Sequence, residues 1–309
     1  MERIIGKYTG TTKGPLLICL AGLHGNEPAG IEALEYLFEM LEIEPVANPD
    51  FAFAGRIVGL RGNLQAIRKR ERFQKRDLNR QFTRENISRV CALPEEELKA
   101  EDLELRQLLD TVHAEVADYK PDQLVVLDLH TTTADGGIFA IATDDEISVR
   151  IGVQLHAPVI KGMLKGLKGT TMHYFTSENM GVPTVAVTFE AGQHGDPLSV
   201  NRTIAAIVNC LRTIGCVKAE HVENRHDQLL QDYARSLPKV AELIRAHRIR
   251  PEDDFKMQPG YRNFQKVKKG EILAYDRRGP IQAEVNARIL MPHYQQQGED
   301  GFFLVRAVE

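Results

Sequence analysis

Residues 15–21, Pro-Leu-Leu-Ile-Cys-Leu-Ala, run apolar without polar alternation. A strand that is apolar on both faces has to be buried on both, so this segment belongs in the middle of a sheet covered by helices. Residues 123–129 and 183–189 also read as core strands, and further strands are expected over 2–8, 51–60 and 137–142. Helical spacing runs through Ile31, Leu34, Leu37, Phe38 and Leu41 over 28–41, with Pro28 suited to a first turn. A long amphipathic helix is expected over 95–118, opened by Pro94 and a run of glutamates at its positive end and stopped by Pro121. Three more helices are expected over 145–155, 197–213 and about 226–248. Strands alternating with helices predict an α/β fold, a mixed, largely parallel sheet with helices on both faces.

The pattern changes after about residue 250. Gly260, Gly270, Gly279, Gly298 and Gly301 punctuate short β-like pieces, so residues 252–309 read as a small C-terminal all-β module. The expected division is a catalytic α/β domain over 1–220, followed by a helical connection and the β module over 221–309. The helical stretch fits either side, which leaves the boundary open between 215 and 252.

Composition narrows the functional classes. With 309 residues and 43% hydrophobic, the chain can bury a sizeable core. Its net charge of -4, the absence of Trp and an aromatic content of only 6% argue against nucleic-acid partners. Leu16–Leu23 is the longest strongly apolar segment and is far too short for a membrane span. The start of the chain has no signal-peptide pattern, and Cys19, Cys91, Cys210 and Cys216 form no Cys-x-x-Cys pair. Reduced thiols in a cytoplasmic protein are expected. Homo-oligomerisation is left open.

Two of the core strands end in chemistry. After 15–21 comes Gly22-Leu23-His24-Gly25-Asn26-Glu27, and after 123–129 comes His130. His24 and Glu27, three residues apart, can share one face of a turn. With His130 they make two imidazoles and a carboxylate, a set that suits one catalytic zinc per chain with a fourth position open to water or substrate. Glu190 closes the strand 183–189. It fits either an edge carboxylate bridged to a nearby cation or, beside a zinc, a general base. Asp128, two residues before His130, fits an acceptor orienting a ligand imidazole or a structural bond to a loop.

The segment 61–84 carries nine Arg and Lys residues, most of them expected to be a solvated surface. Within it, Asn79 and Arg80 suit a substrate carboxylate, and Arg72 suits a developing oxyanion. His194 fits either the site lining or the surface.

The motifs Gly22–Glu27, Asp77-Leu78-Asn79-Arg80, Asp128-Leu129-His130 and Phe189-Glu190-Ala191-Gly192 occur in an order and at spacings that resemble the succinylglutamate desuccinylase/aspartoacylase family. Phe264–Glu271 and Met291-Pro292-His293-Tyr294 resemble that family's C-terminal β module. The resemblance implies a zinc carboxypeptidase-like fold. It also implies a zinc-dependent amidohydrolase that cleaves an N-acyl amino acid carrying a free carboxylate. His24, Glu27 and His130 would hold zinc, Glu190 would be the base, and Arg72 would polarise the scissile carbonyl. Asn79 and Arg80 would hold the α-carboxylate, with Tyr294 touching the substrate. One departure stands out. Aspartoacylases carry a further arginine some ten residues before the base, but residues 171–189 contain no Arg or Lys. That argues against N-acetylaspartate as substrate and against an acidic side chain read by that route. The alternative is a metallocarboxypeptidase acting on short peptides or peptide-like substrates.

Overall fold

The computed structural model describes residues 1–221 and 225–308. Residues 222–224, part of the connection expected between the two units, lie outside the described residues. The strands of the first part are β1 (Ile4–Thr9), β2 (Thr12–Ala21), β3 (Ala54–Arg61), β4 (Leu124–Thr132), β5 (Phe139–Ala142), β6 (Val159–Lys161), β7 (Thr184–Gln193) and β8 (Val240–Arg248). Then come β9 (Lys256–Met257), β10 (Lys266–Val267), β11 (Ile272–Asp276), β12 (Gly279–Gln282), β13 (Ala287–Leu290) and β14 (Asp300–Val308).

Among the described residues, eleven strands form one sheet in the order β1-β3-β2-β4-β7-β5-β6-β8-β14-β13-β10, and β12-β11-β9 form a second. The central strands β3, β2, β4 and β7 are mutually parallel, and β5 returns antiparallel to β7. The apolar run of β2 is therefore central, as its composition requires. Its side chains divide between two cores. Leu17, Cys19 and Ala21 pack under the helices Ala29–Ala47 and Leu198–Thr213, while Leu16, Ile18 and Leu20 pack under Glu101–Tyr119. Both faces are covered, and the expected α/β class holds. All four cysteines are free, three of them buried. No helix among the described residues is long and apolar enough to cross a membrane.

Two helices differ from the sequence reading. The stretch 226–248 splits into a helix, Arg225–Ala234, and strand β8. Pro238 lies between them and cannot continue the helical hydrogen-bond ladder. Strand β8 pairs with β6 on one side and β14 on the other, which joins the C-terminal strands to the main sheet.

The helix expected over 95–118 is a short 3-10 turn, Glu95–Glu97, followed by Glu101–Tyr119. The break at Ala100, with φ of 51°, turns the buried Glu101 carboxylate toward the loop that precedes Asp77. There it accepts the backbone N–H groups of Gln74 at 2.7 Å, Lys75 at 3.2 Å and Arg76 at 3.2 Å. Glu104, one turn on, accepts from Leu64 and Gln65 at the start of the helix Leu64–Lys69. Glu101 and Glu104 thus organise the loop that carries Arg72, Asp77, Asn79 and Arg80. Glu101→Ala is expected to cost about 1–3 kcal/mol by stripping several donors of their acceptor. Urea unfolding measures it, and a midpoint equal to wild type would show that the loop holds itself.

Candidate active site

Parallel strands that leave a shared neighbour in opposite directions open a crevice at their carboxyl ends, the usual place for a ligand. Here β3 and β4 flank β2, so the crevice lies beyond the ends of β2 and β4. The segment that follows β2 bends sharply to stay inside it. Gly22 has φ of 68°, and a Cβ on Gly25 would sit 2.1 Å from the Ala66 carbonyl carbon. Only glycine fits so close a backbone approach. His24 and Glu27 emerge from this bend, and His130 from β4. Glu190 lies beside His130 in register on β7, which continues to Gln193. Two residues after Glu190, Gly192 adopts φ of 109° against the buried Arg202, whose Nη1 donates to the Asp196 carboxylate at 2.7 Å.

All four residues are buried. Glu27 stands between the two rings: Oε1 lies 2.7 Å from His24 Nδ1 and Oε2 lies 3.0 Å from His130 Nδ1. The Thr131 N–H also donates to Oε2, at 2.8 Å. The far nitrogens of both rings face carboxylates. His24 Nε2 is 3.1 Å from Asp77 Oδ1, and His130 Nε2 is 3.1 Å from Asp128 Oδ1. A carboxylate behind an imidazole fixes its tautomer and directs the other nitrogen at a metal. One nitrogen from each ring and one Glu27 oxygen lie within 4.8 Å of one another. The donor set, its burial and the backing carboxylates fit a bound zinc.

The remaining expected residues converge on the same place with one exception. Asp128 Oδ2 also accepts the Thr171 hydroxyl at 2.6 Å, so Asp128 touches both a ring and a loop. Asn79 Nδ2 lies 3.2 Å from His130 Nε2, and its Oδ1 accepts the Thr171 N–H at 3.1 Å. Arg72 donates to Asp77 at 2.9 Å, with Nη1 3.7 Å from Glu27. Arg80 donates to the Asn79 carbonyl at 2.7 Å and is ion-paired with Asp300 of β14. His194, open between lining and surface, lines the cavity, with Nδ1 2.7 Å from the Thr131 hydroxyl.

Tyr294 is the exception. Its phenol donates to the Gln258 carbonyl at 2.7 Å and accepts the Tyr261 N–H at 2.8 Å, within the C-terminal strands and away from the cavity wall. Its neighbours His293 and Gln295 line the cavity instead. Alternate residues face opposite ways there, and a motif match to the tyrosine alone does not register that.

Two adjoining chambers result. The inner one is lined by His24, Glu27, His130 and Glu190 together with Leu164, Leu167 and Met172. The outer one lies between Thr131–Thr133 and the C-terminal residues Met291, His293, Gln295 and Gly298 to Asp300. Arg72, Arg80, Thr131 and Met291 belong to both.

The two inner glutamates are driven apart. Burial pushes the Glu27 carboxyl up, but the His24 and His130 rings outweigh it and hold it well below the usual carboxylate range. Burial pushes Glu190 up to about 8, with Glu27 and Asp128 adding to the rise and His130 opposing it. Its Oε2 is buried with no hydrogen-bond partner among the described residues. Carboxylates split in this way commonly divide ligand and proton-transfer roles. Asp77 resembles Glu27: burial raises it, but Arg72 and His24 hold it well below its ordinary value.

Comparison with known proteins agrees with the geometry. The model of the succinylglutamate desuccinylase/aspartoacylase catalytic domain matches residues 13–214. Succinylglutamate desuccinylase of Pseudomonas paraeruginosa is 29% identical over 295 residues, covering 90% of this chain and 79% of that protein. The enzyme of that name from Pseudomonas putida is 30% identical over 290 residues, covering 90% and 78%. Among solved structures, succinylglutamate desuccinylase from Vibrio cholerae superposes with a TM-score of 0.65 at 21% identity, covering 96% of this chain and 82% of that one. The product-bound ectoine utilization protein EutE (DoeB) from Ruegeria pomeroyi gives 0.63 at 18% identity, covering 96% and 86%. These structures share the fold. With its catalytic-domain match spanning well over half its length, the chain belongs to the succinylglutamate desuccinylase/aspartoacylase family.

Proposed function

We propose that the protein is a zinc-dependent hydrolase that cleaves the amide bond of an N-acyl amino acid, releasing a carboxylate and a free amino acid. The observation that carries this reading is the Glu27 carboxylate held between two imidazole Nδ1 atoms, with Glu190 on the adjoining strand, its buried Oε2 without a hydrogen-bond partner among the described residues. His24, Glu27 and His130 would hold the metal. When bound, zinc supplies a Lewis acid that makes water a nucleophile near neutral pH and stabilises charge on the scissile oxygen.

This chain's residues would do the rest. Glu190 takes a proton from the attacking water and delivers it to the leaving nitrogen. Arg72, fixed by Asp77, turns its guanidinium toward the carbonyl oxygen and stabilises charge as it develops there. Asn79 and Arg80 offer their remaining N–H groups to the amino acid's carboxylate. The C-terminal segment closes one side of the outer chamber through Met291 and His293, anchored by Pro292 accepting the Thr133 hydroxyl at 3.0 Å. A mouth bounded in this way favours a single acylated amino acid over the longer chains a carboxypeptidase would take.

The deciding experiment is a hydrolysis screen of N-acyl amino acids with zinc-loaded protein, including an acyl-peptide that shares one scissile bond. Cleavage of the short substrate and rejection of the long one supports the reading. Equal or better cleavage of the peptide favours the metallocarboxypeptidase alternative.

Arg80→Ala is expected to raise KM for substrates with a free α-carboxylate and to spare the corresponding amides. An Arg fork contributes most where a carboxylate meets it, at about 1.5–3 kcal/mol for such a charged hydrogen bond. Equal losses on both substrate types would assign Arg80 to folding alone.

A further inference from the structure

The charge around the carboxylate end of the cavity can be counted residue by residue. Asp300, the first residue of β14, pairs through Oδ2 with Arg80, and its Oδ1 lies 2.7 Å from Arg248 Nη1. Arg80 and Asp300 are each 11% exposed in the side chain, so water screens their pairing weakly. Two guanidinium groups around one carboxylate leave one positive charge. Arg72, the other cation lining both chambers, is matched by Asp77. Glu299 adds a negative charge to the outer wall beside Asp300. On the opposite side, residues 171–189 contribute no Arg or Lys. Sharing Asp300 with Arg248 leaves Arg80 only partly neutralised, so Arg80 is the cation of the cavity lining with charge to spare for a substrate carboxylate, and Glu299 opposes a second one on the outer wall.

We propose that Asp300, shared between Arg80 and Arg248 and flanked by Glu299, restricts the site to substrates with a single carboxylate, whose acyl group and amino-acid side chain are uncharged or cationic. Asp300 acts here as a specificity-determining residue, through the net charge it leaves on Arg80. A second carboxylate would enter the outer chamber against Glu299 and Asp300 with no cation left to meet it. Like charge at short range in a partly buried site is an effective means of rejection. An ammonium side chain in the same position would find Glu299. This inference rests on the deacylase reading above.

The test compares kcat/KM for N-acetyl amino acids with neutral, ammonium and carboxylate side chains, and for N-succinylglutamate, in the zinc-loaded wild type and in Asp300→Asn. Wild type should favour the neutral and ammonium side chains over both polycarboxylates by on the order of 10-fold or more. Asp300→Asn should shrink that ratio by a similar factor, whereas a purely structural Asp300 would lower all four substrates together. Glu299→Gln, at an exposed position, gives a second variant that does not depend on the buried pair, and should move the ratio the same way by a smaller factor. Preference of the wild type for a polycarboxylate, or an unchanged ratio in both variants, overturns the charge inference alone. Absence of turnover on every N-acyl amino acid overturns the deacylase reading and this inference with it.

Discussion

The Glu190→Gln enzyme is expected to keep its fold and its zinc while losing turnover by on the order of 10²–10⁴-fold. Glutamine has nearly the shape of glutamate, so the core around β7 should repack without change. An amide cannot accept the proton of the attacking water, and that acceptance is the step assigned to Glu190. The Oε2 atom makes no hydrogen bond among the described residues, so the substitution removes no such bond there. Burial already pushes this carboxyl up to about 8, the mark of a charged form poorly supported by its surroundings. A neutral amide should thus leave the melting temperature of the metal-free protein equal or higher, the pattern of a residue retained for chemistry at some cost in stability. Steady-state kinetics, metal analysis and thermal unfolding on one preparation separate the outcomes. Near-wild-type turnover in a zinc-loaded Gln variant would remove Glu190 as the base. A normal kcat with a raised KM would move it to substrate binding.

The parts of this site that were legible in the sequence are those set by local chain direction. The strand 15–21 and the glycines after it announce a buried strand and a tight bend, so His24 and Glu27 were visible as a pair. His130 and Glu190 followed because a polar side chain at the end of an apolar strand stands out. Partners set by tertiary distance left no such trace. Asp300 meets Arg80 across 220 positions of sequence, and nothing local distinguishes it from any other surface aspartate. Glu101 carries no local signal that sets it apart within the helix expected over 95–118, whereas its role is to hold a loop some 25 residues upstream. Asp77 stood inside a recognised motif, but its place behind the His24 ring depends on how the loop folds back. The misread segment 226–248 follows the same logic. Its helical half was periodic, but Pro238 outweighed the periodicity, and the strand beyond it is stabilised by β6 and β14 rather than by its own composition.

Removing the metal is expected to abolish turnover and leave the fold standing, with activity restored by zinc at one equivalent per chain. The Glu27 carboxylate keeps its contacts with both rings and with the Thr131 N–H, and the strands beneath are buried on both faces, so the site does not need the ion to close. Stability should still respond. An ion that binds only the folded state stabilises it by about 2.7 kcal/mol at a free concentration 100-fold above its Kd. Zinc should therefore raise the melting temperature of wild type measurably, and a His24→Ala, His130→Ala double variant should show no such rise, because Glu27 alone cannot replace two lost imidazoles. Asp77→Asn tests the layer behind the ligands. With an amide behind His24, the imidazole loses the charge that fixes its tautomer, and zinc affinity should fall on the order of 10–100-fold while the ligands themselves remain. Competition with a chelator of known affinity reads that change without reference to catalysis. Two results would defeat the assignment: full turnover in protein whose zinc content is far below one per chain, or a zinc-induced stabilisation of the double variant equal to that of wild type. The first would mean that turnover does not need zinc, the second that the ion sits away from the two imidazoles and the carboxylate between them.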